Sequence, residues 1–197
     1  MDDNPILVDR RPGYRVITLN RPERLNAFNE AMQQALAAAI TDAERDESCR
    51  ALLLTGAGRA FSSGQDLNER VTATGDVIVP GEALEKYYNP LVRKLRALRF
   101  PVVAAVNGTA AGAACNIALA CDIVLAARSA TFLQAFARLG LVPDAGGTWQ
   151  FLRWNQSGTD ACRNGRNNND HRVRNITGGV RRRGLHGFCR TLRGHPE

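Results

Sequence analysis

Two stretches of the chain hold residue types that could do chemistry on a carbonyl group. The first is residues 102–127, VVAAVNGTAAGAACNIALACDIVLAA. Its Gly and Ala residues between Gly108 and Ala114 leave no bulk between the backbone and whatever approaches it. A bare turn feeding a helix leaves amides pointing outward with the positive end of the helix dipole behind them, which suits an oxygen carrying negative charge. This is a candidate oxyanion site. The second stretch is residues 140–148, GLVPDAGGT, around Asp144. Two roles are open for Asp144: a helix N-cap, or a carboxylate beside an apolar cavity, where partial desolvation raises proton affinity and makes a usable base.

The elements that must position these groups follow an α/β pattern. Residues 6–8 and 14–19 carry β-branched runs around Pro12-Gly13, which predicts a hairpin. Residues 27–45 space Phe28, Met32, Ala35, Leu36, Ala39 and Ile40 along one helical face. Residues 51–55 predict a short buried strand and 56–59 a turn. Residues 60–67 predict a small-residue loop that enters a short helix, with Gly64 at the bend and Asp66 as its cap. Residues 71–81 have no period and predict a mobile loop, and 83–99 a packing helix. In the central stretch the pattern predicts a strand over 102–106, a polar turn over 107–109, a helix over 110–120 and a strand over 123–127. A further strand over 130–133 and a helical turn over 134–139 lead to the Asp144 loop.

Together these stretches resemble the crotonase family, also called the enoyl-CoA hydratase/isomerase family. The matching residues are Asn20-Arg21-Pro22 with Leu25-Asn26-Ala27, AFSSGQDL at 60–67, PVVAAVNGTAAGAACNIALACDI at 101–123, and FLQAFARLGLVPDAGGT at 132–148. They span about three quarters of the chain, in the family's order and spacing. The resemblance implies an α/β fold, a spiral of ββα units, and an acyl-CoA as substrate. It also implies stabilisation of a thioester enolate by two backbone amides, those of Gln65 and Ala113. By the same carry-over Leu25, Ala27, Ser63, Gln65, Asp66, Leu67, Asn68 and Ala113 hold the acyl-CoA. The family's hydratases carry glutamates where this chain has Asn116 and Phe136. Asp144 then remains as the acid, at the position used by some isomerases of the family, with Asn116 orienting substrate. The branch most resembled isomerises ring-1,2-epoxyphenylacetyl-CoA in phenylacetate breakdown. Other crotonase reactions, enoyl-CoA hydration among them, are the alternative.

Composition bounds the partners. The net charge of +7 lies wholly in one segment: residues 1–149 carry 16 Lys and Arg against 16 Asp and Glu, and residues 150–197 the other 10 against 3. The expectation is therefore a crotonase-like core over 1–149 and a basic tail of low order over 150–197. Those 48 residues hold only 12 from the set AVILMFWYC, with many arginines and no lysine, a composition expected of a shifted reading frame. The family's carboxyl-terminal helical region is thus expected to be truncated or replaced, which would leave an inactive acyl-CoA-binding remnant as one outcome. A tail that binds RNA is the competing expectation, and the lack of aromatic interleaving weighs against it. The five cysteines form no CxxC or metal-ligand spacing, so neither a metal nor a disulfide framework is expected. No cofactor is expected beyond the coenzyme A of the substrate. No apolar run reaches membrane-spanning length, and a cytoplasmic enzyme is expected. The family implies a homotrimer or hexamer where the carboxyl-terminal region is intact.

Overall fold

The computed structural model describes residues 4–66, 80–134, 136 and 140–150. Leu67, Asn68, residues 71–79 of the loop expected over 71–81, and the tail from 151 onward lie outside the described residues, while Pro80 and Gly81 of that loop are helical.

The chain lays down strands two at a time: the first pair stays in one sheet, and each of the next three pairs gives one strand to each of two sheets. β1 (Ile6–Arg11) and β2 (Tyr14–Leu19) form an antiparallel hairpin. Its turn places Gly13 at φ +80, where only glycine sits without strain. β3 (Ala51–Gly56), β5 (Val102–Val106) and β7 (Ile123–Ala126) then add in parallel, giving a five-stranded sheet in the order β1-β2-β3-β5-β7. Each of the last three is followed by a three-residue strand: β4 (Ala60–Ser62), β6 (Thr109–Ala111) and β8 (Thr131–Leu133). These pair in parallel as a second sheet, β4-β6-β8. Helices return the chain after the hairpin and after the second and third strand pairs. The result is the spiral of ββα units that the resemblance implies.

α1 (Glu30–Arg45) buries Met32, Leu36, Ile40 and Ala43, a stripe at helical spacing that packs on β1 and β2. Asn29 caps it by accepting from Met32 N at 2.9 Å. Truncating the fully buried Leu36 to Ala would cost about 2–5 kcal/mol. The next helical segment runs as α2 (Pro80–Ala83), a single π turn (Leu84–Tyr88) and α3 (Asn89–Ala97). α4 (Ala113–Ala120) is buried on every side, all eight residues. A helix with no polar face lies inside the core, and its amino end is held as firmly as the sheet beside it.

Several boundaries depart from the sequence pattern, each for a local reason. α1 begins at Glu30, not at residue 27, because Phe28 is drawn out to pair with the loop at Gln65. Residues 60–62 are a strand, not a loop, and residues 109–111 are a strand in place of the turn and first helical residues expected there. Partners in the second sheet override the helical preference of alanine. The helix expected over 83–99 starts at Pro80 and ends at Ala97. Among the described residues no helix is long and apolar enough to cross a membrane.

Candidate active site

The turn into α4 is set by Gly112, at φ 54 and ψ −126, whose N–H donates to Leu133 O at 2.8 Å. The helical ladder starts with Asn116 N–H to Gly112 O at 3.3 Å. The amides of Ala113, Ala114 and Cys115 thus precede it, with the helix dipole behind them. Gly64 closes against this turn from the other side. It lies at φ +92, and a Cβ built on it would fall 2.7 Å from Ala111 O and 3.7 Å from Ala113 N. The absent side chain brings the Gly64–Gln65 peptide alongside the first amide of α4. The two amides singled out by sequence, those of Gln65 and Ala113, therefore come from loops in direct contact.

The Gln65 loop is held by a second backbone strip. Ser63 N–H donates to Leu25 O at 2.9 Å, Phe28 N–H to Gly64 O at 2.8 Å and Asp66 N–H to Phe28 O at 2.9 Å. Leu25 and Asn26 reach this strip in the left-handed region, φ 51 and 54. Asn26 is fully buried and supports the bend: its Nδ2 donates to Ala57 O and Ala60 O, and its Oδ1 accepts from Arg21 N–H. Arg21 crosses from one strip to the other, donating through Nη1 to Ala27 O at 2.6 Å and to Asp66 Oδ2 at 3.1 Å. Of the expected acyl-CoA residues, Leu25, Ser63 and Gln65 keep exposed surface, while Ala27 and Asp66 are buried. The Asp66 carboxylate faces the guanidinium of Arg21, and the helix it was expected to cap lies outside the described residues.

Asp144 lies against the first turn of α4, at Asn116. Its carbonyl accepts from Gly147 N–H at 2.7 Å and from Asn116 Nδ2 at 2.8 Å, and its Oδ1 lies 3.4 Å from the same Nδ2. Ala145, at φ 45, turns the chain so that this half-buried carboxylate can face Asn116. Asn116 itself is fully buried, and its Oδ1 accepts from Gln134 Nε2 at 2.5 Å. The side chain expected to orient substrate thus has both ends of its amide held by protein. Phe136, where family hydratases carry a second glutamate, is buried and apolar. The neighbouring Cys115 thiol is pushed up to about 12 by burial and stays neutral across the physiological range.

Sequence reasoning missed Gln134, Arg21 and Gly147 as parts of the site. Arg21 and Gln134 each stood in a matching segment and Gly147 in the paired glycines, but nothing local to Gln134 marks its role. Among the described residues no group of three or more His, Cys, Asp or Glu could hold a metal ion.

Strand pairs in two sheets, a buried helix whose first amide faces a glycine loop, and a carboxylate against that helix define a class. Residues 10–159 match the family described as enoyl-CoA hydratase/isomerase, and the chain belongs to that family, with the crotonase fold. It is 56% identical over 149 residues to 1,2-epoxyphenylacetyl-CoA isomerase of Escherichia coli, covering 75% of this chain and 57% of that protein. It is 52% identical over 145 residues to a probable enoyl-CoA hydratase of Rhodobacter capsulatus, covering 72% of this chain and 53% of that one. A crystal structure of an enoyl-CoA hydratase from Mycobacterium avium subsp. paratuberculosis superposes with a TM-score of 0.65 at 38% identity, over 74% of this chain and 56% of that one. The chain thus spans little more than half the length of the curated relatives it matches.

Proposed function

We propose that this chain carries the site of an acyl-CoA isomerase, of the kind that shifts a double bond in an enoyl-CoA or rearranges a ring epoxide of phenylacetyl-CoA. In this reading the N–H groups of Gln65 and Ala113 donate to the thioester oxygen. The Asp144 carboxylate takes a proton from the α carbon of a 3-enoyl-CoA. The electron pair left behind delocalises onto the thioester oxygen as an enolate, and charge that develops only there favours the transition state over the bound substrate. Return of the same proton to the γ carbon leaves the 2-enoyl-CoA and regenerates the carboxylate. Substrate contacts along Leu25, Ala27, Ser63, Asp66, Leu67 and Asn68, a homotrimeric or hexameric assembly and a cytoplasmic role in phenylacetate breakdown belong to the same proposal.

The observation that carries it is the contact of Asn116 with Asp144. Where a hydratase of this family would place a carboxylate, this chain places an amide that donates to the loop of the remaining acid. One carboxylate suffices to move a proton between two carbons. Adding water calls for a base and an acid at the water. The similarity to the E. coli isomerase supports the same side.

A second reading, enoyl-CoA hydration, is favoured by the names of other relatives. The two separate in one assay, because conversion of a 3-enoyl-CoA raises the absorbance of the conjugated thioester and hydration of a 2-enoyl-CoA removes it. The expected result is a rise with the first substrate and no change with the second. Asp144→Asn should abolish the rise while the chain still binds acyl-CoA in a thermal-shift or calorimetric measurement. Undiminished turnover in that variant would sink the proposal.

A further inference from the structure

We propose that Gln134 is a positioning residue of this site: its amide fixes which way round Asn116 sits, and so aims the Asn116 N–H groups at Asp144. The inference rests on the reading of Asp144 as the proton carrier. The two ends of an asparagine amide have nearly the same shape, so packing alone does not choose between them. The Asp144 carbonyl does choose, because it can only accept, and it lies 2.8 Å from Asn116 Nδ2. Asn116 Oδ1 then points the other way, into a fully buried space, and meets Gln134 Nε2 at 2.5 Å. With an apolar group at 134 the buried Oδ1 would lose its donor. With an acceptor there, Asn116 would be driven to turn over and present oxygen to oxygen at Asp144.

Two further observations distinguish orientation from packing. Gln134 Oε1 is buried with no hydrogen-bond partner, so the residue keeps an unsatisfied acceptor in order to place its donor. Position 134 also follows directly on Leu133, whose carbonyl accepts from Gly112 N–H at the turn before Ala113. The end of β8 thus grips both the oxyanion turn and the partner of the acid.

Among the described residues, the titratable groups around this amide pair are Asp144 and Cys115, whose Sγ lies 3.7 Å from Gln134 Nε2. Because burial holds the thiol neutral, a pH-dependent signal at the Asn116 side-chain amide reports Asp144.

The test uses the full chain carrying Gln134→Met, which keeps length and removes the donor, and Gln134→Glu, which keeps shape and, when ionised, replaces the donor by an acceptor. In both, kcat for 3-enoyl-CoA isomerisation should fall roughly 10- to 100-fold with KM within about twofold, the pattern of a lost orientation and not of lost binding. The double variant Asn116→Ala with Gln134→Met should be no slower than Asn116→Ala alone. Additive losses in that cycle, or an unchanged kcat in both single variants, would overturn the assignment. Independently of turnover, the side-chain amide resonances of Asn116 should move with pH in the unmodified chain, and the movement should vanish in Gln134→Met, which adds no titratable group. If the unmodified chain shows that titration but no isomerase activity, the functional reading fails and the positioning role stands. If it shows activity without the titration, the positioning role fails.

Discussion

Gly147 lies so close to Asn116 that a Cβ on it would fall 2.6 Å from both Nδ2 and Oδ1 of the asparagine. Its neighbour Gly146 is glycine for another reason, a φ of 76. One member of the pair supplies conformation and the other supplies space. Gly147→Ala therefore needs no forbidden backbone angle, but it must push Asn116 away from Asp144. The expected outcome is a loss of roughly 100-fold in kcat, since small displacements of a catalytic group cost that much, with about 1–3 kcal/mol of destabilisation from overpacking. Steady-state kinetics and a thermal melt on the same sample check both, and a fully active Gly147→Ala chain would contradict the role given to this contact.

Arg21 joins the two strips that present the acyl-CoA residues. Its guanidinium is 19% exposed and the Asp66 carboxylate 9%, so the pair is largely desolvated. Removing one partner of such a pair is far more damaging than deleting a surface ion pair. Arg21→Ala should destabilise the chain by about 3 kcal/mol and raise KM for acyl-CoA more than it lowers kcat. Arg21→Lys should recover only part of this, because one ammonium cannot reproduce the geometry of a guanidinium that bonds both Ala27 O and Asp66. Denaturant unfolding and acyl-CoA titration read the two effects separately.

Gly64 carries the opposite kind of constraint, since both its φ of +92 and the 2.7 Å approach to Ala111 O exclude a side chain. Gly64→Ala should open the contact between the Gln65 loop and the turn before Ala113. With the donor pair spread, kcat should fall roughly 100- to 1,000-fold, the scale of losing one oxyanion donor. The strained backbone adds a penalty of about 1–3 kcal/mol. A transition-state-like enolate analogue should lose affinity in this variant far more than the ground-state acyl-CoA, and equal losses for both would argue against an oxyanion role.

How much of this was legible in the sequence depended on whether a residue's role is local. In β5 the alternation of buried Val102, Ala104 and Val106 with half-buried Val103 and Ala105 follows from the strand period. The α1 stripe follows from the helical one. The strands of the second sheet have three residues each, too few to show a period, and Thr109 reads as turn and Ala110–Ala111 as helix because nothing nearby announces pairing with β4 and β8. Gln134 is the extreme case. Its meaning arises only when β8 and α4 are packed together, and an amide at a strand end carries no signal of that. Asp144 was visible as a carboxylate after proline, but its two possible roles could be weighed only once Asn116 was found against it.

The buried thiols make the fold sensitive to alkali. Burial pushes Cys115 up to about 12 from an ordinary value of 9.0, and it raises Cys121 further. Both thiols are neutral in the folded and the unfolded chain below pH 9, so their contribution is fully present there. Above it the unfolded chain ionises them while the folded chain does not, so the unfolded state binds fewer protons and stability falls as pH rises toward 12. The slope attributable to each fully ionised thiol approaches about 1.4 kcal/mol per pH unit. Between pH 8 and pH 10.5 the melting temperature of the intact chain should therefore fall more steeply than that of a Cys115→Ala, Cys121→Ala variant. The variant starts lower because of the space it leaves, so the comparison is of slopes and not of starting values. Parallel slopes would mean that the thiols reach solvent in the folded chain, and with them the core around α4.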